Sequence, residues 1–136
     1  MSVEDKLEEF LKSIKGVTCF RERLKIYAPT CYGKCVDAVE KLISNINKVI
    51  GGSTVYDAEG SWISDGRLYR EPVKVIEAAH HCLSKDEAEA IAKAIVEYAK
   101  EARQEALAIY GSNFYIASVP ELLKAYEKLV EKKPVI

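Results

Sequence analysis

Residues 53–79, STVYDAEGSWISDGRLYREPVKVIEAA, decide the fold. Asp65-Gly66 tolerates positive φ at both central positions of a tight turn, and it separates two runs rich in β-branched and aromatic residues. Two antiparallel strands are therefore expected, near 53–63 and 67–79. Pro72 has no N–H to give to a ladder, so the second strand is expected to lie at an edge or to bulge there. Strict alternation sets Tyr56 and Ala58 opposite Asp57 and Glu59, hence towards the core. A bulge at Gly60 would reverse the phase and carry Trp62 to the polar face, so core and open surface both stay open for Trp62.

On the N-terminal side, Val3, Leu7, Phe10, Leu11 and Ile14 recur at helical spacing between a capping Ser2 and Gly16, which predicts a helix over 3–15. Residues 17–27, VTCFRERLKIY, alternate instead. Phe20, Leu24 and Ile26 point one way, with Glu22 interrupting them, and Arg21, Arg23, Lys25 and Tyr27 point the other. Ala28-Pro29-Thr30 reads as a loop. Val39, Leu42, Ile43, Ile46 and Ile50 share one face of a second helix that Gly51-Gly52 closes.

On the C-terminal side, Ser84-x-x-Glu87 is a capping box opening a long helix that buries Ile91, Ile95, Val96 and Ala99. A second hairpin pairs 106–110 with 114–117 around Gly111-Ser112-Asn113. Ser118-x-x-Glu121, with Pro120 in the first turn, starts a final helix that Pro134 ends. The order αβαββαββα implies an α+β fold, a mainly antiparallel sheet of four to five strands with helices packed on one side. One sheet face is then left open. Residues 1–117 form the expected domain, and 118–136 a C-terminal helix suited to dimerisation.

At 136 residues and 49% apolar, the chain has the size of one domain with one core. No stretch approaches the roughly 20 apolar residues of a membrane span, and the N-terminus lacks a basic region followed by an apolar run. A cytoplasmic protein with no membrane partner is expected. Net charge is −1, yet residues 17–27 carry +2 and 61–75 carry +1, while 84–105 carry −2. Positive potential is thus expected on the sheet. One glutamine, one methionine and 30% charged residues lean towards a thermophile. In such an organism the four cysteines, Cys19, Cys31, Cys35 and Cys82, are candidates for a disulfide whose pairing the sequence leaves undetermined.

Arg21, Arg23 and Lys25 ending in Tyr27 combine charge for phosphates with a ring face for bases, the pairing a single nucleic-acid strand requires. The hairpin adds Trp62, Arg67, Tyr69 and Lys74 to that set. The bland alternative is that the cations are only the solvated side of an amphipathic strand. His80-His81-Cys82 with Cys31-x3-Cys35 has zinc-ligand types at poor spacing, so no metal is assigned. No cofactor is assigned either. Glu77, His80 and His81 could be written as an acid/base group and Cys35 as a thiol nucleophile at a helix start. Without a glycine-rich phosphate loop, a GxSxG elbow or HExxH, no catalytic residue is assigned and a non-enzyme is expected. A small thiol- or metal-dependent enzyme and a protein-interaction module are the alternatives. Leu122, Tyr126 and Leu129 line a two-turn seam for a homodimer, or for docking on the same domain.

The runs GGSTVYDAEGSW (51–62) and EPVKVIEAAHHC (71–82), preceded by RLKIYAP (23–29) and a cysteine pair, resemble ThermoDBP. This is a family of single-stranded DNA-binding proteins from hyperthermophilic crenarchaea, and the resemblance covers about residues 5–117. It implies a basic, partly apolar cleft that takes single strands without sequence preference, a role in DNA replication and repair, and a C-terminal zipper dimer. The expected site is Arg21, Arg23, Lys25, Tyr27, Trp62, Arg67, Tyr69 and Lys74, binding single-stranded DNA and, by the same chemistry, RNA. The tail Leu122–Ile136 is shorter than such a zipper.

Overall fold

The computed structural model describes residues 3–131; Ser2 and Pro134, expected as helix cap and stop, lie outside them. The elements run α1 (Val3–Lys12), β1 (Glu22–Pro29), a short turn Cys31–Gly33, α2 (Val36–Ile50), β2 (Thr54–Ser64), β3 (Arg67–His80), α3 (Lys85–Glu101), β4 (Ala106–Tyr110), β5 (Phe114–Ser118) and α4 (Val119–Val130). The five strands form one antiparallel sheet in the order β2-β3-β1-β4-β5. The expected α+β order is present.

Strand β1 begins at Glu22 rather than at 17, because its partner β3 runs out at His80, which faces Glu22. Residues 17–21 therefore have no ladder to join. Arg21 lies outside the sheet, and the Phe20 ring meets the His81 ring at 4.6 Å instead of entering the core. At its other end β1 continues through Ala28 and Pro29, which the sequence reads as loop.

Ile26, Ala28, Ile76, Ala78 and Leu107 point to one side of the sheet. There they meet Val39, Leu42 and Ile46 of α2 and Ile91, Ile95, Tyr98 and Ala99 of α3 in a single core. Helix α4 adds Val119, with Leu122 and Leu123 packed against the same cluster. Burial of these side chains contributes roughly 1.5–3 kcal/mol each for the larger ones and is the main force holding helices to sheet. The Ser84–Glu87 capping box forms: Ser84 Oγ accepts from Glu87 N–H at 3.1 Å, and Glu87 Oε1 accepts from Ser84 N–H at 2.9 Å. The analogous box at Ser118 does not form, since Ser118 makes no side-chain cap and Glu121 turns to Lys124 instead.

Asp65 and Gly66, at φ 51° and 75°, make the expected hairpin turn. From Thr54↔Glu77 to Ser64↔Arg67 the register of β2 on β3 is unbroken, so there is no bulge at Gly60. Pro29 pairs with Val73, and there β1 ends. Beyond that point the hairpin stands alone as a two-stranded ribbon. Pro72 sits at its base, in a part of β3 with a strand neighbour on one side only, which is how a residue without an N–H is accommodated.

Candidate functional site

Register decides which side chains share the uncovered face. Lys25, Tyr27 and Pro29 of β1 align with Glu77, Val75 and Val73 of β3; these align in turn with Thr54, Tyr56 and Ala58 of β2. Continuing outward, Gly60 faces Glu71 and Trp62 faces Tyr69. Across the sheet, Ala108 of β4 aligns with Tyr27 and with Ile116 of β5, and Tyr110 with Phe114. Tyr56 is therefore on the open face, not in the core. The expected alternation holds but its faces are exchanged, because Asp57, on the edge strand, and Glu59, at the base of the ribbon, lie exposed on the helix side. They are neutralised there by Lys74 and Arg70.

The open face is concave. Val75 is only 1% exposed although no helix covers it, because its neighbours on either strand are Tyr56 and Tyr27. Between the ribbon and the β4–β5 hairpin lies a cleft of about 470 Å³. Trp62 and Ala58 wall one side, Phe114 and Ile116 the other, and Tyr27, Pro29 and Val73 form the floor. Its charged groups are Glu71 and Glu59; no lysine or arginine lines it. Burial pushes the Glu71 carboxyl above the usual carboxylate range. The phenol of Tyr98 is pushed upward too, first by its own burial and then by the negative charge of Glu71.

Gly60 keeps the cleft open above Glu71. A Cβ added there would meet Val73 Cγ2 at 3.3 Å and Glu71 Cγ at 3.7 Å. The rings are ordered by one another: Trp62 stacks on Tyr69 at 5.6 Å and 14°, with the Arg67 guanidinium 6.0 Å from the Tyr69 ring. On the far wall Phe114 meets Tyr27 edge-on at 6.1 Å.

The expected site residues are only partly brought together. Tyr27 and Trp62 line the cleft. Tyr69 and Arg67 stand towards the ribbon tip on the same face. Arg23 is on that face but lies over the Tyr110 ring at 5.5 Å, and Lys25 pairs with Glu77 at 3.9 Å. Lys74 points to the opposite face, against Asp57, and Arg21 precedes the sheet. A continuous phosphate-binding stripe is not formed.

The catalytic alternatives fare no better as drawn. Glu77 and His80 are three residues apart on one strand and so point to opposite faces. Cys35 is bonded to Cys31, while Cys19 and Cys82 are exposed free thiols. Among the described residues no group of three or more histidine, cysteine or acidic side chains is placed to hold a metal ion. None of the described helices is long and apolar enough to cross a membrane. In α4, Leu122 packs inward, Tyr126 is half-buried and Leu129 is exposed.

The Cys31–Cys35 bond closes a left-handed turn beside the cleft. Cys31 and Tyr32 both have φ 54° and Gly33 has φ 95°. For the two non-glycine residues this conformation costs roughly 1–2 kcal/mol each. From this turn the Thr30 N–H donates to the Pro72 carbonyl at 3.1 Å, and the Tyr32 hydroxyl donates to the Arg70 carbonyl. Glu71 sits between those two carbonyls.

Sequence reasoning misses Glu71, Gly60, Phe114 and Ile116. A signal for the first two is present: a two-residue turn at Asp65-Gly66 fixes the register, and counting back from it places Gly60 opposite Glu71.

No protein-family model matches the chain, and no curated protein matches it either. Solved structures share its fold. One is a phage SAM lyase in complex with S-methyl-5'-thioadenosine, 16% identical, with a TM-score of 0.53 over 71% of this chain and 88% of that one. The same description without ligand, phage SAM lyase in the apo state, is 16% identical with a TM-score of 0.54 over 77% and 94%. These neighbours are enzymes, not single-stranded DNA-binding proteins, and no match supports ThermoDBP. The expectations of a non-enzyme and of strand binding are overturned accordingly, and no match supports an archaeal setting. The physical reason is a cleft that has no lysine or arginine in its lining and keeps the Glu71 carboxylate there, which repels a phosphate backbone.

Proposed function

We propose that the protein is a small enzyme that binds S-adenosylmethionine in the open-face cleft and cleaves a carbon–sulfur bond to release S-methyl-5'-thioadenosine. The observation that carries the proposal is a partly buried carboxylate, Glu71, set among aromatic and aliphatic walls with no cation in the lining. A cleft of this size and apolarity suits a small organic ligand. Trp62 and Phe114 offer flat faces to a purine. Glu71 and the rings favour a positively charged sulfonium and disfavour a nucleotide phosphate. The fold shared with phage SAM lyase adds the reaction class.

In the proposed step the bond from sulfur to the aminobutyrate chain breaks and its electron pair stays on sulfur, which becomes a neutral thioether. The substrate's own carboxylate oxygen closes on the carbon released, so atoms and charge balance without a co-reactant. Cancelling opposite charges is favoured where water is scarce, and Pro29 and Val73, the latter 6% exposed, make the floor apolar.

Trp62 is the only tryptophan, so its emission reports ligand directly. Titration with S-adenosylmethionine and with S-methyl-5'-thioadenosine is expected to change that emission saturably, and chromatography of the incubated substrate to reveal the thioether. Glu71→Gln is expected to weaken binding of the cation about 10- to 100-fold while altering that of the neutral product by no more than about threefold. Absence of binding by both compounds at millimolar concentration refutes the proposal.

A further inference from the structure

The Cys31–Cys35 turn belongs to none of the roles assigned so far, yet its hydrogen bonds end on the two carbonyls that flank Glu71. We infer that this disulfide-closed turn is a clamp that positions Glu71 in the cleft, with Tyr32 as its positioning residue, and that opening the bond releases the clamp. The inference rests on the reading of Glu71 as the group facing the ligand.

Three observations carry it. First, the turn holds consecutive non-glycine residues in the left-handed region, and such backbone persists only where its surroundings over-determine it. The disulfide is the covalent part of that constraint; the Thr30 carbonyl, accepting from Gly33 N–H at 3.0 Å and Cys35 N–H at 2.9 Å, is the other. Second, the sulfurs are anchored. Both lie against the Ala102 carbonyl at the end of α3, at 3.8 and 3.9 Å, and the Gln104 amide approaches Cys31 Sγ at 3.5 Å. The turn is thereby fixed to the core on one side, while Thr30 and Tyr32 reach the ribbon on the other. Third, the base of the ribbon has no β1 neighbour beyond Val73, so Thr30 and Tyr32 replace the missing strand at Pro72 and Arg70. Glu71 is thus held from both sides through main-chain atoms of its neighbours.

Opening the clamp is a two-electron step. A trialkylphosphine attacks one sulfur and breaks the S–S bond; water then supplies the oxygen of the phosphine oxide and the two protons of the thiols. Cys31 and Tyr32 are then free to leave the left-handed region, and the Tyr32–Arg70 link goes with them.

The test follows the Glu71 carboxyl by carbon NMR across pH in the oxidised protein, in the phosphine-reduced protein and in Tyr32→Phe, which keeps the disulfide and the ring. It also follows S-adenosylmethionine binding through Trp62 emission. Oxidised protein is expected to titrate Glu71 above the ordinary range. Reduction is expected to move the midpoint back towards it, because water reaches the carboxyl. It is also expected to weaken binding of the cation by at least about tenfold, because the carboxylate is no longer held beside the positive sulfur. Tyr32→Phe is expected to move both in the same direction. Equal midpoints in the oxidised, reduced and Tyr32→Phe proteins overturn the clamp. If S-adenosylmethionine binds none of them, the functional reading fails, and the Glu71 midpoint still decides the clamp by itself.

Discussion

Replacing Tyr98 with phenylalanine tests the packing that supports the cleft. Tyr98 is 2% exposed in α3 and its hydroxyl donates to the Pro29 carbonyl at 2.6 Å, tying the helix layer to the end of β1 from which the cleft floor is built. Tyr98→Phe keeps the ring and its burial but leaves a buried carbonyl without its donor, a loss of about 1–3 kcal/mol. At roughly 4 °C per kcal/mol for a domain of this size, Tm should fall by about 4–12 °C at pH 7. The pH dependence supplies a second, independent sign. Burial and the Glu71 charge raise the phenol's folded pKa above its unfolded value of about 10, so its contribution is complete below pH 10 and is lost as pH rises through the folded value. Phenylalanine cannot lose a proton, and the gap between the two proteins should therefore narrow above pH 10. Thermal melts from pH 7 to 11 followed by far-ultraviolet circular dichroism measure both effects. A Tm within 1 °C of the parent at pH 7, or a gap that widens in alkali, refutes the reasoning.

Gly60→Val puts a branched side chain where even a Cβ lies 3.3 Å from Val73, so calorimetry should find binding of S-methyl-5'-thioadenosine abolished while the circular dichroism spectrum is retained. Ser84→Ala removes the oxygen that accepts from Glu87 N–H and should cost about 1 kcal/mol in denaturant unfolding. The same capping box depresses the Glu87 pKa, so its contribution is present at neutral pH and disappears as pH falls through the lowered value; Glu87→Gln should flatten that acid limb of stability. Binding of the S-adenosylmethionine cation needs Glu71 ionised, so affinity should fall on acidification at a pH above the ordinary carboxylate range, and Glu71→Gln should erase that dependence.

The fold is legible because its signals are local. Asp65-Gly66, the Ser84–Glu87 box and the helical spacing of Ile91, Ile95 and Ala99 each act within a few residues, and each is realised. Two departures come from non-local facts. Alternation in 17–27 cannot reveal that the partner strand stops at His80, so it extends the strand over Phe20 and Arg21, which have no partner. Acidic residues such as Asp57 and Glu59 mark the solvent face only where the other face is covered. On a ribbon that outruns its helices both faces meet water, and polarity stops reporting direction.

The candidate site is illegible for a related reason. Cations are conspicuous in a sequence, and Arg21, Arg23, Lys25, Arg67 and Lys74 together suggest a polyanion. Their partners decide what they do, and those partners come from other strands: Glu77 for Lys25, Asp57 for Lys74, the Tyr110 ring for Arg23. Once these and the Arg70–Glu59 pair on the other face are subtracted, the charge left inside the concave face is that of Glu71, and its sign is opposite to the one inferred from segment totals. A ligand feels the groups that line its cleft far more than the net charge of the strand they stand on, because burial weakens the screening of the first and solvent screens the second. Glu71 gives no warning of this in sequence. It is one acid between an arginine and a proline, and its importance follows only from a glycine eleven residues earlier that leaves the space above it open.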